Sequence, residues 1–415
     1  MSSTILIIGA GAAGLVAARR LASEGFSVTL LEAAAVPGGR IHTFPIPGFT
    51  GLVEAGAEFV HGDLPITLQL AREAGVSLIP THHSQMTKDA PFLHWDDLME
   101  QMGKLQDDQP IAQFLDTHFP GEKYAALRRS VQRFAEGYDL ADLATVSTKA
   151  LYAEWSAEEE SGEYRVEGGY GRLVDYLVRE CLRLGAHVHL GSPVHEVRWG
   201  AGSVEVTTAG DERFTAERLL VTVSLGVLPA ITFLPSIPDV LQAAAGIGYG
   251  SVIKILLEFR TPFWREGRPG AQTLFILSEQ AVPVWWTQVD ELSTLLTGWL
   301  TGENMRRYQV LGPQERLEHC LASLAAIFSR DMSSLRDELT AFRIFDWRDQ
   351  PYVHGGYSFD TVETPACRQI LRTPVAETLY FSGEAIYEGR VPGTVEAAFH
   401  SGLEVAEKII GCLKF

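Results

Sequence analysis

The N-terminal part of the chain alternates apolar runs with glycine-rich breaks. The apolar runs at residues 4–8 and 28–31 are short and rich in β-branched side chains, which predicts two buried strands. The Ala- and Leu-rich segment between them ends before Gly25 and predicts a helix, because glycine commonly follows the last helical turn. Strand, turn, helix and strand in this order predict one complete βαβ unit.

Later segments carry weaker but similar patterns. Leu173, Leu177, Cys181 and Leu184 are spaced as one face of a helix that stops at Gly185. Shorter alternating runs predict strands at 187–190, 194–199, 203–208 and 219–223. Residues 86–163 are rich in helix formers, aromatic and acidic side chains, which predicts a helical insertion, and residues 246–352 predict a second sheet.

The turn between the first strand and the helix reads GAGAAG, residues 9–14. In such a turn Gly9 permits the sharp bend, Gly11 lets the backbone approach a pyrophosphate, and Gly14 lets the helix pack on the strand. The helix N-terminus offers free N–H groups and a positive dipole end to the phosphates. The predicted cofactor contacts of this turn are Gly9, Gly11, Ala12, Ala13 and Gly14.

An acidic residue and a second glycine pair follow the second strand. Glu32 stands 18 residues after Gly14, where a carboxylate can accept both ribose hydroxyls of an adenosine. Gly38 and Gly39 allow close backbone approach, and Arg40 offers a charge-assisted contact to a phosphate. A nicotinamide site needs no such second pair with an arginine, so this arrangement favours FAD.

Composition and charge exclude some classes of protein. The chain has 415 residues, 46% of them apolar, and a formal net charge of −18. The acidic balance argues against a nucleic-acid partner, and no apolar run approaches the roughly 20 residues of a membrane span. Four cysteines without paired spacing suit a cytoplasmic chain with free thiols. We therefore expect a cytoplasmic monomer or homodimer without a nucleic-acid or membrane partner, and no motif predicts a metal site.

Motifs spread over nearly the whole chain resemble those of the flavin amine oxidase family. They are GAGAAG, LEAAAVPGGR, GAEFVHG, VEGGYGRL, VTVSLGVL, GSVIKILLEFRTPFW and FSGEAIYEGRVPGTVEAAFHSG. The resemblance implies an α/β fold in which a Rossmann-like FAD-binding domain, of the three-layer glutathione-reductase type, is interleaved with an α+β substrate domain. We expect the FAD-binding domain at 1–85, 165–243 and 356–415, and the substrate-binding domain at 86–164 and 244–355.

The same resemblance implies further contacts to the cofactor. Gly56 and Ala57 would run along the flavin, and the backbone of Val194 would meet the adenine. Trp347 would lie against the flavin ring. Some monoamine oxidases carry a flavin-linking cysteine where this chain has Gly356, so the FAD is expected to be non-covalent. The C-terminal segment would close the cofactor site with Gly383, Glu384, Thr394 and Val395.

Three residues are predicted to face the substrate. His61 falls where several polyamine oxidases carry a residue facing the amine, but it also suits a histidine satisfied by local hydrogen bonds beside a helix that Asp63 and Pro65 would begin. Both interpretations stay open. Tyr357 matches one wall of an aromatic cage. Thr394 stands where monoamine oxidases have the second cage tyrosine, and this half-open cage suits a longer or bulkier amine.

Lys254 lies within the apolar run 251–259, where a lysine is costly to bury unless it is paired or functional. By pattern alone, an edge-strand lysine that reaches solvent is the simpler interpretation. The family resemblance reverses it, because the matching lysine reaches the flavin N5 through a water. Trp285, Trp286 and Trp299, taken singly, are more typical of a core than of a ligand site.

These features predict an FAD-dependent amine oxidase. The amine α-carbon would give hydride to the flavin N5, the imine would be hydrolysed, and O₂ would be reduced to H₂O₂. His61 and the acidic balance favour a polyamine weakly over other small-molecule amines. The alternatives are another flavin oxidoreductase of the same fold, such as a desaturase or a protoporphyrinogen-oxidase-like enzyme, and a non-catalytic flavin-binding protein.

Overall fold

The computed structural model describes residues 3–62, 64–81, 83–87, 94–157, 162–266, 273–290, 292–389 and 391–414. Its strands, in chain order, are β1 (Thr4–Ile8), β2 (Ser27–Leu31), β3 (Thr43–Pro45), β4 (Leu52–Glu54), β5 (Phe59–His61), β6 (Leu78–Thr81), β7 (His83–Thr87), β8 (Glu163–Val166), β9 (His187–His189), β10 (Val194–Gly200), β11 (Ser203–Thr208), β12 (Arg213–Ala216), β13 (Arg218–Val221), β14 (Thr232–Leu234), β15 (Gly248–Tyr249), β16 (Ile253–Phe259), β17 (Thr273–Leu277), β18 (Val284–Thr287), β19 (Leu295–Leu300), β20 (Leu339–Asp346), β21 (Ser358–Phe359) and β22 (Leu379–Phe381).

The helices are α1 (Ala12–Ser23), α2 (Pro65–Ala74), α3 (Trp95–Gly103), α4 (Ile111–His118), α5 (Ala125–Gly137), α6 (Thr148–Trp155), α7 (Gly171–Arg183), α8 (Pro238–Gly246), α9 (Gly302–Gln309), α10 (Pro313–Phe328), α11 (Met332–Glu338), α12 (Thr364–Arg372) and α13 (Val395–Lys414). Short 3₁₀ turns occur at Glu122–Tyr124, Leu228–Ala230, Phe263–Arg265 and Glu384–Ile386.

The predicted βαβ unit is confirmed and forms the centre of a parallel sheet with the strand order β22-β13-β1-β2-β9. Helices α1, α2, α7 and α13 cover one face of this sheet through an aliphatic core. The opposite face packs on α8, α12 and the second sheet β12-β11-β10-β14 through a separate core. Three layers result, which is the α/β architecture that the sequence predicted.

The local predictions in this part hold to within a few residues. The predicted face of α7 is buried at Leu173, Leu177 and Cys181, and Gly185 follows the helix with a positive φ of 86°. Helix α2 begins at Pro65, as predicted, and ends before Gly75, which takes the left-handed conformation. The N-cap predicted at Asp63 lies outside the described residues.

In the described part of the chain, the sheet that the sequence predicts at residues 246–352 has six strands in the order β20-β16-β19-β18-β17-β7. Strand β16 is central and all seven of its residues are buried, because α10 and α11 cover one face of the sheet. Helices α3 to α6 form their own core and lie beside this sheet. They correspond to the helical insertion that the sequence predicted. The assignment of chain segments to two domains stays a prediction. The sequence also predicts that the acidic run 158–160 is a solvated face or loop, and this run lies outside the described residues.

Candidate functional site

A cavity of about 3050 Å³ runs from the carboxyl ends of β1 and β2 to helices α5 and α6. Ligands of open α/β sheets bind outside the carboxyl ends of the strands, at this kind of position. Its walls include every predicted site residue except Gly14, which lies inside the turn. These residues are Gly9, Gly11, Ala12, Ala13, Glu32, Gly38, Gly39, Arg40, Gly56, Ala57, His61, Val194, Lys254, Trp347, Tyr357, Gly383, Glu384, Thr394 and Val395.

The glycine turn has the geometry that a dinucleotide requires. Gly9 has a φ of 104°, which favours glycine. A Cβ on Gly14 would lie 2.1 Å from the Gly9 carbonyl oxygen, so only glycine lets α1 approach β1 this closely. Gly11 precedes the first turn of α1 and offers no side chain to cap it. The free N–H groups of that turn therefore open onto the cavity and suit a pyrophosphate.

Glu32 lies at the outer end of the cavity wall that the glycine turn forms. It is only 7% exposed, and its two carboxylate oxygens accept hydrogen bonds from the backbone N–H groups of Ala10 (2.7 Å) and Ala34 (2.9 Å). Burial raises the pKa of Glu32. The two amide bonds fix the carboxylate at the cavity wall, and each oxygen has a further lone pair for a ribose hydroxyl. These residues fit the adenosine half of the predicted FAD.

Arg40 has a protein partner that the sequence did not reveal. Its Nη1 donates to Oε1 of Glu384 (2.7 Å) and to the Gly356 carbonyl oxygen (2.8 Å). The other carboxylate oxygen of Glu384 accepts from the Ser358 hydroxyl (2.6 Å). Part of the guanidinium predicted to meet a phosphate is thus engaged in holding three chain segments together. Glu384 also lies on the cavity wall, but its carboxylate is paired with Arg40 and is not free.

Gly56 lies where two backbone segments touch. A Cβ there would lie 1.9 Å from the Arg40 carbonyl oxygen and 3.2 Å from the Trp347 ring. The Trp347 indole donates to the Ala55 carbonyl oxygen (2.8 Å) and is 5% exposed. Ala57 donates its N–H to the Arg40 carbonyl oxygen (3.0 Å). Together they form a flat, side-chain-poor stretch of the wall that suits a planar ring.

Lys254 is buried in a strand that has a neighbour on each side, and not in an edge strand of its sheet. Strand β16 pairs with β19 on one side and β20 on the other, and Lys254 is 1% exposed. Its Nζ donates to Oε2 of Glu58 (2.6 Å) and to the Gly56 carbonyl oxygen (3.0 Å), beside the face of Trp286. The edge-strand interpretation is therefore wrong. Burial lowers the pKa of Lys254 to about 7.

The residues predicted to face the substrate lie on the same cavity. His61 lies on the wall and places Nδ1 3.0 Å from Oε2 of Glu163, which is 102 positions away on the neighbouring strand β8. The Tyr357 hydroxyl donates to the Tyr138 carbonyl oxygen. The Thr394 hydroxyl caps α13, because it accepts from the N–H of Ala397 (3.1 Å) and donates to a neighbouring carbonyl oxygen. This hydroxyl therefore has a structural partner already.

The sequence missed a pair of carboxyl groups on the far wall. Asp139 follows α5 and Glu154 lies in α6, and both line the cavity. The Trp155 indole donates to Oδ2 of Asp139 (3.4 Å), whereas Oδ1 is buried without a hydrogen-bond partner among the described residues. Asp139 is 6% exposed, and burial raises its pKa to about 9, with the Glu154 charge as a further cause. Burial also raises the pKa of Glu154. Acidic residues inside an aromatic-rich helical stretch were the only available signal, and they are equally typical of a solvated helix.

Aromatic side chains line the cavity between these groups. Trp286 contacts Phe59 and Trp299, with ring centroids 5.8 Å apart in each case, and Phe275 completes the cluster. The prediction that the tryptophans belong to the core holds for Trp285 and for Trp286, which is 4% exposed, and Trp299 packs partly buried against a core cluster. Trp286 and Trp299 also line the cavity, whereas Trp285 does not. Alternation along β18 explains the difference, because neighbouring residues face opposite sides of the sheet.

Two kinds of feature are absent from the described residues. No helix there is both long and apolar enough to cross a membrane. No group of three or more His, Cys, Asp or Glu side chains in that part of the chain could hold a metal ion. Cys181, Cys320, Cys367 and Cys412 are free thiols.

Comparison with known families settles the relationship. Residues 12–116 and 100–410 match the family described as flavin containing amine oxidoreductase. The chain belongs to this family. Lysine-specific histone demethylase 1B of Mus musculus is 26% identical over 98% of this chain, and polyamine oxidase 2 of Arabidopsis thaliana is 26% identical over 98% of it. The chain covers 53% of the mouse protein and 88% of the plant protein, so it spans about half the length of that demethylase.

Solved structures share the fold at low identity. A putrescine oxidase bound to putrescine has a TM-score of 0.81 at 23% identity, with 99% of each chain covered. Cyclohexylamine oxidase from Brevibacterium oxydans IH-35A has a TM-score of 0.81 at 21% identity, with both chains fully covered. These two likenesses establish the three-dimensional fold, which this member of the flavin amine oxidoreductase family shares over its whole length.

Proposed function

We propose that this protein is an FAD-dependent amine oxidase. The observation that carries the proposal is Lys254, a buried amine on the cavity wall that donates to the carbonyl oxygen of Gly56. A binding protein gains nothing from burying a lysine there, and the burial is costly. A buried amine with a pKa near neutrality is a typical feature of a catalytic site.

The walls suit FAD held without a covalent bond. The turn at Gly11 and the carboxylate of Glu32 would hold the pyrophosphate and the ribose, and Trp347 with Gly56 would flank the flavin ring. Gly356 has no side chain, so it offers no thiol through which a flavin could be linked at that position. When bound, the flavin would accept hydride from the amine α-carbon and pass the electrons to O₂, yielding H₂O₂.

The protein's own residues would bind and orient the amine. The aromatic walls formed by Phe59, Trp286, Trp299 and Tyr357 exclude bulk water and suit the carbon chain of an amine. Lys254 would hold a water next to the reacting carbon, where that water can hydrolyse the imine product. Orientation of the C–H bond by these walls would supply most of the rate advantage.

We infer further that the substrate carries more than one amino group. Asp139 and Glu154 place two carboxyl groups in one buried wall, and a protonated amine would satisfy both. Binding a cation there would release the proton that the two carboxyl groups hold. The charge of the cation would offset the cost of burying the carboxylates. His61 and Glu163 add a second polar contact on the same wall. This favours a diamine or polyamine.

The alternatives fit the cavity less well. A desaturase or a protoporphyrinogen-oxidase-like enzyme handles a large apolar or weakly polar substrate, for which two buried carboxyl groups would be unfavourable. A non-catalytic flavin protein would have no use for Lys254. Both alternatives stay open to the same experiment.

The experiment is anaerobic reduction of the yellow protein by a panel of amines. We expect the visible absorbance of the bound flavin to bleach with a diamine or polyamine faster than with a monoamine of equal chain length. Addition of O₂ should restore the colour and release H₂O₂. Absence of bleaching with every amine would refute the proposal, and equal rates for mono- and diamines would refute the inferred substrate class.

A further inference from the structure

Glu58 contacts two buried cations that come from different sheets. Its Oε2 accepts from Nζ of Lys254 in β16 at 2.6 Å, and its Oε1 pairs with Nη2 of Arg165 in β8. The side chains of Lys254, Glu58 and Arg165 are only 1%, 5% and 11% exposed. Because Glu58 directly precedes β5, which pairs with β8, the carboxylate links the three-stranded sheet β5-β8-β6 to the six-stranded sheet.

Few other charged groups face this cluster. Glu54 at the end of β4 acts on Lys254 through space, but its carboxylate oxygens accept from Thr43 and from the backbone N–H of Tyr170. The second Arg165 nitrogen donates to Gln288. The remaining neighbours are aromatic, with the faces of Trp286 against Lys254 and Phe59 against Arg165. In the described residues, Glu58 is thus the carboxylate that hydrogen-bonds to Lys254.

We propose that Glu58 is the positioning residue of Lys254. Glu58 holds the Lys254 amine against the Gly56 carbonyl oxygen at the cavity wall, and its negative charge balances the charges of Lys254 and Arg165. The proposal rests on the proposed function of Lys254 but concerns a different residue. Both oxygens of the Glu58 carboxylate are engaged with Lys254 and Arg165, so Glu58 would act on the reaction through the lysine.

The physical reason is the repulsion between two buried cations. With Glu58 in place, one carboxylate lies between the two cations: it accepts a hydrogen bond from Lys254 and forms an ion pair with Arg165. Burial and Arg165 lower the pKa of Lys254, and the Glu54 charge raises it. Because the Glu58 carboxylate lies 2.6 Å from Nζ, removal of its charge should lower the pKa further. The lysine would then lose its proton at a lower pH and would lose the contact that directs Nζ towards the carbonyl oxygen.

The test compares Glu58→Gln, Glu58→Asp, Lys254→Met and the double variant Glu58→Gln/Lys254→Met. Flavin reduction by amine and reoxidation by O₂ are measured separately from pH 6 to pH 10. Lys254→Met should abolish one limb of the wild-type profile of rate against pH. We expect this limb to shift to lower pH in Glu58→Gln and to stay near its wild-type position in Glu58→Asp. We also expect the double variant to be no slower than Lys254→Met, because Glu58 acts through the lysine.

A second readout needs no cofactor. Melting of the apoprotein should show that Glu58→Gln lowers the melting temperature and that adding Lys254→Met restores part of the loss, since one of the two repelling cations is gone. Glu73→Gln, which removes a carboxylate from a partly exposed pair with Arg19 outside the cavity, serves as the matched control and should change neither readout.

The outcomes separate this inference from the proposed function. An unshifted pH limb in Glu58→Gln, or rate losses that multiply in the double variant, would overturn the positioning role. Additive losses in melting temperature would overturn it as well. If no amine reduces the wild-type flavin, the proposed function fails, while the melting cycle still decides whether Glu58 holds Lys254.

Discussion

The Arg40 guanidinium and the Glu384 carboxylate form an ion pair across the cavity wall, with Nη1 2.7 Å from Oε1. The two residues are 344 positions apart, and the pair joins the loop after β2 to the segment after β22. Both segments line the proposed FAD site. The pair therefore connects the first and last parts of the chain at the point where the cofactor would bind.

Glu384→Gln should weaken FAD retention and lower the thermal stability of the protein. The substitution leaves the partly buried Arg40 without its charged partner, and such a loss is more costly than the loss of an exposed ion pair. The measurement is the ratio of flavin to protein after purification, together with the melting temperature. Glu388→Gln removes a half-exposed carboxylate from its pair with Arg372 and serves as the control. Equal effects of the two substitutions would contradict this prediction.

Glu32→Ala should weaken or abolish FAD retention, because the ribose hydroxyls lose their acceptor. A hydrogen bond to a charged group contributes roughly 1.5–3 kcal/mol, which corresponds to a more than tenfold loss of affinity. Equilibrium dialysis of the apoprotein against FAD measures it. Glu24→Ala, which removes an acidic side chain from the same βαβ unit at the other end of α1, should leave the affinity unchanged. Full flavin content in purified Glu32→Ala would refute the assignment.

Heat or acid precipitation should release the FAD into the supernatant. Gly356 offers no thiol for a covalent link to the flavin. Absorbance of the supernatant and of the dissolved pellet measures the partition. Yellow colour that stays in the pellet would show a covalent link elsewhere on the chain.

Lys254→Met should fold and retain FAD but slow at least one half-reaction. Methionine keeps the length and apolar character of the side chain in the central strand, whereas the amine that would hold a water is lost. We expect flavin reduction or reoxidation to fall by tenfold or more, which corresponds to about 1.4 kcal/mol of barrier. Rapid mixing under anaerobic conditions, and then with O₂, measures each rate. If both rates of Lys254→Met equal those of the wild type, the oxidase proposal would rest on the cofactor site alone.

Asp139→Asn should change how stability depends on pH. The folded-state pKa of Asp139, about 9, lies above its ordinary value, so the wild-type protein holds a proton that the unfolded chain releases. The stability contributed by this group is therefore present below pH 4 and is lost as the pH rises towards 9. Asp139→Asn removes this loss, and the melting temperature of the apoprotein should fall less between pH 5 and pH 9 than in the wild type.

The same variant should discriminate between substrates. If a second ammonium group binds to the Asp139–Glu154 pair, Asp139→Asn should raise KM for a diamine by about tenfold, a loss typical of one buried charged contact, and leave KM for a monoamine nearly unchanged. Parallel changes for both amines would argue that the pair has only a structural role.

The sequence predicted the cofactor half of the molecule in detail because that half depends on local rules. A glycine turn, a strand of aliphatic residues and an acidic residue at a fixed spacing each have a short-range physical reason. Strand β11 was predicted with its observed bounds, and β1 likewise. The predicted contacts of Glu32 and Lys254 stay predictions, although both residues lie on the cavity.

The missing features depend on long-range contacts. Glu58 and Lys254 are 196 positions apart, and nothing in either segment shows that the acid neutralises the lysine. Asp139 and Glu154 belong to a helical stretch whose acidic residues match a solvated surface. Their burial follows from the packing of α5 and α6, which the periodicity of each helix does not specify.

The position of Lys254 in β16 has a consequence for the dynamics of the site. The strand is hydrogen-bonded on both sides, and its neighbours are buried, so its backbone amides should exchange with solvent only when the whole sheet opens. We therefore expect the amine to sit on one of the slowest-exchanging segments of the fold, whereas Asp139 follows α5 and Glu154 lies in α6, outside that sheet. Adaptation to a new substrate could thus alter the helices without moving the lysine.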